Sequence, residues 1–236
     1  MKIAILTSLF GSRTDLASVR TKHDDVDYLA FVDRKYETTE GWQQINCVNF
    51  SDDDHYPHRR NAKPYKITPH LLAPGYDYYV WMDAIHDLTV HPKELIDDYL
   101  IDEDMSVFSH PYRQCAFTEA EVCATSHIEH ISNIKNQLKH YSNVGFPRNY
   151  GLYEMSCFIL RNNDVTRKMG MMWWEQICRF SSRDQISFPY VLWRMRKELD
   201  ISILPGYVHH HEDGNKIFPY LDLEKKSLMY DFEKKY

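Results

Sequence analysis

Two aspartates stand directly after apolar stretches that are typical of buried strands. Asp83 follows residues 78–82, and Asp33 follows residues 28–32. Ligands of open α/β sheets collect at the carboxyl ends of the strands. Aspartate oxygens also suit Mg²⁺ or Mn²⁺ ions that hold a diphosphate, which makes Asp83 a candidate metal ligand. A helix cap or a turn is the alternative explanation for either aspartate.

A run of histidines near the end of the sequence is a second group that could carry chemistry. Residues 209–211 are all histidine, and Glu212, Asp213, Gly214 and Lys216 follow them. Because side chains alternate along a strand, one or two of the three histidines could face the same metal. A solvated polar loop explains the same residues, and the local sequence does not separate the two interpretations.

Four cations lie close together between residues 57 and 72. Arg59, Arg60, Lys63 and Lys66 are spaced so that several of them share one face of a helix. Such a face could clamp a diphosphate, although a solvated helix surface is the more usual explanation. Pro64 predicts that this helix either breaks or begins late.

A further carboxylate, Asp184, lies between Arg183 and Gln185, just ahead of an aromatic stretch. Ser182 is a good helix N-cap, which would place Asp184 in the first helical turn, where a negative charge is favourable. That structural explanation is sufficient by itself. The functional alternative is a carboxylate that is presented to a sugar hydroxyl.

Strands and helices alternate along the sequence, and this alternation predicts the framework that positions these side chains. The predicted strands cover residues 2–9, 28–32, 42–50, 78–82, 105–109, 153–160 and 201–204. Helical patterns open at residue 91, lie within 118–141, follow residue 160 as far as 174, and cover 184–199. This order predicts an α/β fold with a mostly parallel central sheet flanked by helices. No linker divides the chain, so we expect one domain over residues 1–236.

The composition limits the class of protein. The 236 residues, 43% of them hydrophobic, suffice for one sizeable core and exclude global disorder. Against 34 acidic residues stand 28 Lys and Arg, and the net charge of −6 disfavours a nucleic-acid partner. No apolar run approaches the roughly 18 residues that cross a bilayer, which leaves room only for peripheral membrane contact. Five cysteines without a CxxC pair fit a reducing, cytoplasmic compartment.

Taken in order, these segments resemble a GT-A glycosyltransferase, a Rossmann-related fold. The likeness is closest to a plant and bacterial family of glycosyltransferase-like domains, some of whose plant members are implicated in the synthesis of cell-wall and mucilage polysaccharides. It is carried by IAILTSLFG, FVD, KPYKITPH, YVWMDAIHDL, HPYRQCAFTEAEVC, GFPRNYGLYE, WWEQI and SRDQISFPYVLW. These stretches span nearly the whole chain.

A looser likeness is to the glycogenin-like galactosyltransferases. Asp83 matches the first aspartate of their Asp-x-Asp metal motif, and Asp184-Gln185 matches the start of a helix motif. The stretch from His211 to Gly214, with Lys216, resembles their C-terminal motif. Ile85 and Ile186 stand where that group has a second carboxylate, so the metal and the sugar specificity are the features that the likeness predicts least firmly.

The resemblance implies an enzyme that transfers a sugar from a nucleotide-diphosphate sugar to an acceptor hydroxyl in polysaccharide or glycoconjugate synthesis. It implies Asp184 or Glu154 as the catalytic carboxylate, and Asp83 and His211 as ligands of Mn²⁺ or Mg²⁺. It implies a donor site formed by Asp33, Arg59, Lys63, Lys66, Asp83, Gln185, Gly214 and Lys216. The alternatives are a non-catalytic module that binds nucleotide sugars, and a metal-assisted hydrolase that uses Asp83, His86 and the histidine run.

Overall fold

The computed structural model describes residues 1–11, 15–37, 39–51, 57–208 and 215–221. These residues form one seven-stranded sheet with helices packed against it. The strands are β1 (Ile3–Leu9), β2 (Val26–Val32), β3 (Gln43–Asn46), β4 (Tyr78–Met82), β5 (Met105–Ser109), β6 (Tyr153–Arg161) and β7 (Ile201–Ile203). The helices are α1 (Pro57–Ile67), α2 (Pro69–Leu72), α3 (Pro92–Tyr99), α4 (Ala116–Thr125), α5 (Ile131–Asn143), α6 (Asp164–Arg179) and α7 (Asp184–Arg194).

The sheet has the order β3-β2-β1-β4-β6-β5-β7. Every neighbouring pair is parallel except the two that involve β6, which runs antiparallel to both β4 and β5. This arrangement confirms the predicted α/β class and the mostly parallel sheet. It also brings the carboxyl ends of β1, β2 and β4 to one edge, beside the first half of β6, because Met82 pairs with Cys157.

Both faces of the sheet are covered, which explains the nearly continuous apolar character of its central strands. On one face Leu6 and Trp81 pack with Trp173 of α6 in a core that also includes residues of α4, α5 and α7. On the other face Ile5 and Val80 pack with residues of α3 and with the segment 215–221. Adjacent residues of one strand thus enter different cores, as the alternation of strand side chains requires.

Helix α1 is continuous from Pro57 to Ile67, so the prediction that Pro64 breaks or delays this helix was wrong. Pro64 lies near the end of α1, where its carbonyl accepts a hydrogen bond from the Thr68 N–H at 2.8 Å. The helix ends before Pro69, because the residue that precedes a proline is forced out of the helical region.

Close packing against α6 fixes the position of α1. A Cβ atom added to Gly170 of α6 would lie 2.5 Å from the carbonyl oxygen of Ile67, the last residue of α1. Only glycine permits this approach without a shift of backbone. The position of α1 relative to the sheet therefore depends on one residue of a different helix.

Other boundaries differ from the sequence-based expectation. The helical pattern within residues 118–141 is two helices, α4 and α5, separated by a turn in which His127 has a φ of 54°. His130 then caps α5, because its side chain accepts a hydrogen bond from the Ser132 N–H. Strand β3 covers only part of the predicted 42–50, and Val48 and Phe50 beyond it are exposed. Within the described ranges, no helix has the length and apolar character needed to cross a bilayer.

Candidate active site

A cleft of about 270 Å³ opens at the carboxyl edge of the central strands. Its walls come from the end of β1, from α1, from the residues at the end of β4, from β6 and from the start of α7. The lining residues are Ser8, Arg59, Ala62, Lys63, Lys66, Trp81, Asp83, Met155, Ser156, Arg183, Asp184 and Gln185. Six of them carry charge, in a cleft that the topology places where α/β sheets bind ligands.

Helix α1 supplies three of these charges from one face. Arg59, Lys63 and Lys66 are four and three residues apart, a spacing that stacks side chains on one side of a helix. The neighbouring Arg60 points elsewhere, because its guanidinium donates hydrogen bonds to the carbonyls of Ile177 and Phe180 at the end of α6. Three of the four cations expected from the sequence therefore line the cleft, and Arg60 instead caps a helix C-terminus.

Two lysines and two aspartates form the centre of the cleft. The ammonium groups of Lys63 and Lys66 each lie 2.7 Å from Oδ2 of Asp184. The Lys66 ammonium also lies 3.5 Å from Oδ1 of Asp83, which is 2.8 Å from the indole nitrogen of Trp81. Residues 121 positions apart in the sequence, Lys63 and Asp184, thus form a direct ion pair.

Burial and the opposite charges together set the pKa values of these groups. Burial works against the charge of Asp184, but the Lys63 and Lys66 ammonium groups outweigh it and hold the pKa of this carboxyl far below its ordinary value. Burial lowers the pKa of Lys63 to about 8, in spite of the attraction of Asp184. Burial opposes the charge of Lys66 as well, yet Asp184 and Asp83 raise its pKa above the ordinary value. The neighbouring opposite charges therefore favour the ionised forms of Asp184 and Lys66, whereas burial makes Lys63 the easier of the two ammonium groups to deprotonate.

Asp83 is held by its backbone while its carboxylate stays accessible. Its N–H donates to the carbonyl of Ser156 at 2.8 Å, and its carbonyl accepts from the N–H of His86 at 3.0 Å. These bonds form the turn at the end of β4. The Asp83 side chain remains 40% exposed, so a ligand in the cleft can reach it.

Arg183 lines the cleft, although the sequence analysis assigned it no role. It is the N-cap residue of α7 and lines the cleft directly before Asp184. Its guanidinium lies 3.6 Å from the buried carboxylate of Glu119, which is also bound by Arg113 at 2.8 Å. This ionic cluster supports one wall of the cleft, and no local signal in the sequence relates Glu119 to Arg183.

The predicted N-cap role of Ser182 was wrong. Its hydroxyl and its N–H both donate to Oε2 of the buried Glu129 at 2.8 Å, and the N-cap residue is Arg183. Helix α7 starts at Asp184, the residue at which the sequence predicted its start. The interaction with Glu129 ties the start of α7 to the segment before α5. Asp184 nevertheless lies in the first turn of its helix, as expected from the sequence.

Asp33 lies at the end of β2, as predicted, but it does not line the same cleft. Its Oδ2 accepts a hydrogen bond from the N–H of Gly11 at 2.6 Å, whereas Oδ1 is buried and has no hydrogen-bond partner among the described residues. Gly11 has a φ of +61°, and a Cβ there would lie 2.1 Å from the ring of His58. A separate pocket of about 320 Å³ lies beside Asp33, between the ends of β2 and β3.

The structure does not bring Glu154 or Lys216 into the cleft lining. Glu154 is buried on β6, and its Oε2 accepts a hydrogen bond from the Val208 N–H at 2.6 Å. Lys216 is exposed, and its carbonyl accepts a hydrogen bond from the hydroxyl of Thr89. His211 and Gly214, the other two residues expected from the C-terminal motif, lie outside the described residues.

The described residues do not by themselves form a divalent metal site. They contain no group of three His, Cys, Asp or Glu side chains that could hold an ion together. Asp83 shares Oδ1 with Trp81 and Lys66, and Asp184 is bound by two ammonium groups. His86, the ligand proposed for a hydrolase, is buried with its Nδ1 3.2 Å from the carbonyl of Phe218 and does not line the cleft.

The chain is thus an α/β protein with a charged cleft at the carboxyl edge of its strands, the place where open α/β sheets bind ligands. The particular family follows from sequence. The family model of the TOD1/MUCI70 glycosyltransferase-like domain matches residues 23–211, and the chain belongs to this family. This match confirms the resemblance seen in the motifs.

Comparison with individual proteins gives more distant matches. A probable hexosyltransferase from Arabidopsis thaliana, MUCI70, is 28% identical over 144 residues, which cover 56% of this chain and 25% of that protein. The chain therefore spans about a quarter of the length of this relative.

Two glycosyltransferases are among the solved structures to which this chain is similar in backbone structure. Mouse xyloside xylosyltransferase 1 in its apo form has a TM-score of 0.47 at 10% identity, covering 86% of this chain and 85% of that one. The WbbM bifunctional glycosyltransferase in its apo form has a TM-score of 0.48 at 10% identity, covering 99% of this chain and 44% of that one. The family assignment does not depend on either likeness.

Proposed function

We propose that this chain transfers a sugar from a nucleotide-diphosphate sugar to a hydroxyl group of a carbohydrate or glycoconjugate acceptor. The observation that carries the proposal is the cleft in which Arg59, Lys63, Lys66 and Arg183 surround two carboxylates. The cleft occurs in a chain of a glycosyltransferase-like family. A role in polysaccharide or glycoconjugate synthesis belongs to the same proposal.

The reaction requires a site that stabilises a departing diphosphate. The bond between the anomeric carbon and the diphosphate oxygen breaks, and its electron pair stays on the nucleoside diphosphate. The acceptor oxygen forms the new bond to the anomeric carbon and loses its proton to a base, to the departing diphosphate or to water. Fixed cations aimed at the departing oxygens stabilise the charge that develops in the transition state.

The cations of the cleft are the groups that we assign to the diphosphate. Lys63 and Lys66 act as point charges, while Arg59 and Arg183 offer planar guanidinium groups that match phosphate oxygens in pairs. The amide of Gln185, also in the lining, can donate to and accept from sugar hydroxyls.

Asp184 suits donor binding better than proton transfer. A carboxyl whose pKa is held far below its ordinary value is a weak base, so the position of Asp184 does not favour the role of general base. We assign it to fixing the two ammonium groups and to accepting hydrogen bonds from hydroxyls of the donor sugar. Glu154, buried and bound to the Val208 backbone, has the surroundings of a structural residue. The sequence and the geometry leave retention or inversion of the anomeric configuration open.

Asp33 is our candidate for the nucleoside end of the donor. Its buried Oδ1 has no hydrogen-bond donor among the described residues, and buried polar atoms in proteins are usually paired. A base N–H or a ribose hydroxyl in the neighbouring pocket would supply the missing donor. The participation of His211, Gly214 and Lys216, the binding of Mn²⁺ or Mg²⁺ at Asp83 and His211, and a cytoplasmic location remain predictions.

A thermal-shift panel tests the proposal. Uridine and guanosine diphosphates and their sugar conjugates are added to the wild-type chain, with and without Mn²⁺, and the melting temperature is recorded. We expect at least one nucleotide to raise the melting temperature, since a ligand that binds only the folded state stabilises it.

The absence of a shift with every nucleotide would contradict the proposal. A shift without sugar transfer to any acceptor would instead favour a non-catalytic nucleotide-sugar module. The non-catalytic function is kept as a second candidate because Ile85 and Ile186 stand where the galactosyltransferase motifs have carboxylates.

A further inference from the structure

Lys66 is a buried charge at the centre of the cleft. Its side chain is only 3% exposed, and its ammonium lies 5.4 Å from the centre of the Trp81 ring and 6.0 Å from that of Phe158. A buried ammonium is stable only when opposite charges compensate for its lost hydration. Asp184 at 2.7 Å and Asp83 at 3.5 Å provide that compensation, so Lys66 is a fixed part of the site.

The Lys66 ammonium contacts both carboxylates of the cleft, at 2.7 Å from Asp184 and 3.5 Å from Asp83. Oxygen ligands lie about 2.0–2.6 Å from Mg²⁺ or Ca²⁺, so an ion shared by Asp83 and Asp184 would have to lie between them. The nitrogen of Lys66 already contacts both carboxylates. An ion that bridged Asp83 and Asp184 would therefore have to displace a buried ammonium from its two counter-charges.

The lining of the cleft carries more positive than negative charge. Arg59, Lys63, Lys66 and Arg183 contribute four positive charges, and Asp83 and Asp184 contribute two negative charges. Counted over these lining residues, the remaining charge of plus two is opposite in sign to the charge on a diphosphate and similar to it in size. The cations also come from two different helices, α1 and the start of α7, so they can hold the diphosphate from two sides.

We propose that Lys66, together with Lys63, takes the place of a divalent metal as the built-in cation that binds the diphosphate of the donor. This inference rests on the proposed function and deepens it. It is carried by the position of the two ammonium groups relative to Asp83 and Asp184. According to this proposal, the cleft binds a nucleotide diphosphate without a divalent metal.

The test is calorimetric titration of uridine diphosphate and guanosine diphosphate into the full chain. One titration follows exhaustive treatment with EDTA, and the other contains Mn²⁺ or Mg²⁺. We expect the dissociation constants of the nucleotide that binds to agree within about twofold in the two conditions, because the ammonium groups are present in both.

Two variants distinguish the contribution of Lys66 to nucleotide binding from that of a metal. Lys66→Met should weaken metal-free binding by about tenfold or more, since it removes a charge-assisted contact. Asp83→Asn should retain metal-free binding, because it removes a negative charge from beside the diphosphate. If a metal carried the diphosphate, the same Asp83→Asn change would abolish binding by removing its described ligand.

The matched control is Lys139→Met, which changes an exposed lysine on α5 and should leave the affinity unchanged. The Asp83→Asn variant and the wild-type titrations keep the proposal testable if Lys66→Met fails to fold.

Binding that appears only with Mn²⁺ or Mg²⁺ would overturn this inference and leave the proposed function standing. The absence of nucleotide binding in both conditions would overturn the inference and the proposed function together. Equal affinity of wild type and Lys66→Met without metal would also overturn the inference, since it would place the diphosphate elsewhere.

Discussion

Asp184 is the residue on which the charge balance of the cleft depends. Both lysine ammonium groups lie 2.7 Å from one of its oxygens, and all three side chains are largely buried. Removal of one member of a buried ionic group leaves the others without compensation, which is the situation in which ion pairs matter most for stability. An exposed pair of similar geometry would contribute little.

We therefore expect Asp184→Asn to lower the free energy of unfolding by about 3–5 kcal/mol at neutral pH, because two buried ammonium groups lose their shared counter-charge. Urea denaturation followed by circular dichroism measures this difference. Asp164→Asn is the matched control, since Asp164 is also the first residue of its helix but its ion pair with Arg167 is exposed. We expect that control to change the free energy of unfolding by less than about 1 kcal/mol. Equal losses in the two variants would contradict the assignment.

The sequence predicted only part of the set of residues that meet, since Asp33, Glu154 and Lys216 were expected in the site and do not line the cleft. Asp83, Asp184, Lys63 and Lys66 were all candidates, and the structure brings them together. Arg60 was grouped with them because the spacing of α1 could not reveal that the end of α6 captures its guanidinium. The support of Arg183 by Glu119 joins residues 64 positions apart, and only the folded chain relates them.

Helix α1 is the element that makes the cleft cationic. Its three inward charges are positioned by packing against α6, and the closest approach is at Gly170. A methyl group there would meet a backbone carbonyl, which cannot rotate away as the end of a flexible side chain could. The local helix preference of alanine over glycine, about 1 kcal/mol, acts in the opposite direction.

We expect Gly170→Ala to lower the free energy of unfolding by about 1–2 kcal/mol in spite of that preference, because overpacking costs about 1–3 kcal/mol. The same displacement of α1 should weaken nucleotide binding. Chemical denaturation and calorimetric titration measure the two effects. Met171→Ala, at a half-exposed position next to it on α6, should leave both quantities nearly unchanged. An unchanged or more stable Gly170→Ala protein would show that α1 does not need this close contact.

Helices and strands could be predicted where the neighbouring sequence alone determines them. Strands β1, β2 and β4 were predicted because a continuous apolar run is a local property of the sequence. The break between α4 and α5 was missed because the residues around it remain compatible with a helix. The continuity of α1 through Pro64 was missed because the sequence does not show how strongly tertiary packing stabilises this helix. That packing compensates for the one backbone hydrogen bond that the proline cannot donate.

At the scale of the whole molecule, the distribution of charge matters more than its sum. The chain carries a net charge of −6, yet the lining of the cleft between α1 and α7 has an excess of two positive charges. A cationic cleft in an acidic protein concentrates anionic ligands at one place and discourages their binding elsewhere. The fold achieves this by collecting residues from α1, from the end of β4 and from the start of α7 at one edge of the sheet.

The most direct test of this account is a crystal structure of the wild-type chain with uridine diphosphate or guanosine diphosphate. The account predicts phosphate oxygens at hydrogen-bonding distance, about 2.7–2.9 Å, from the ammonium groups of Lys63 and Lys66, with Arg59 or Arg183 on the opposite side of the diphosphate. A nucleotide whose diphosphate binds at another surface, with these lysines still paired only to Asp83 and Asp184, would contradict it.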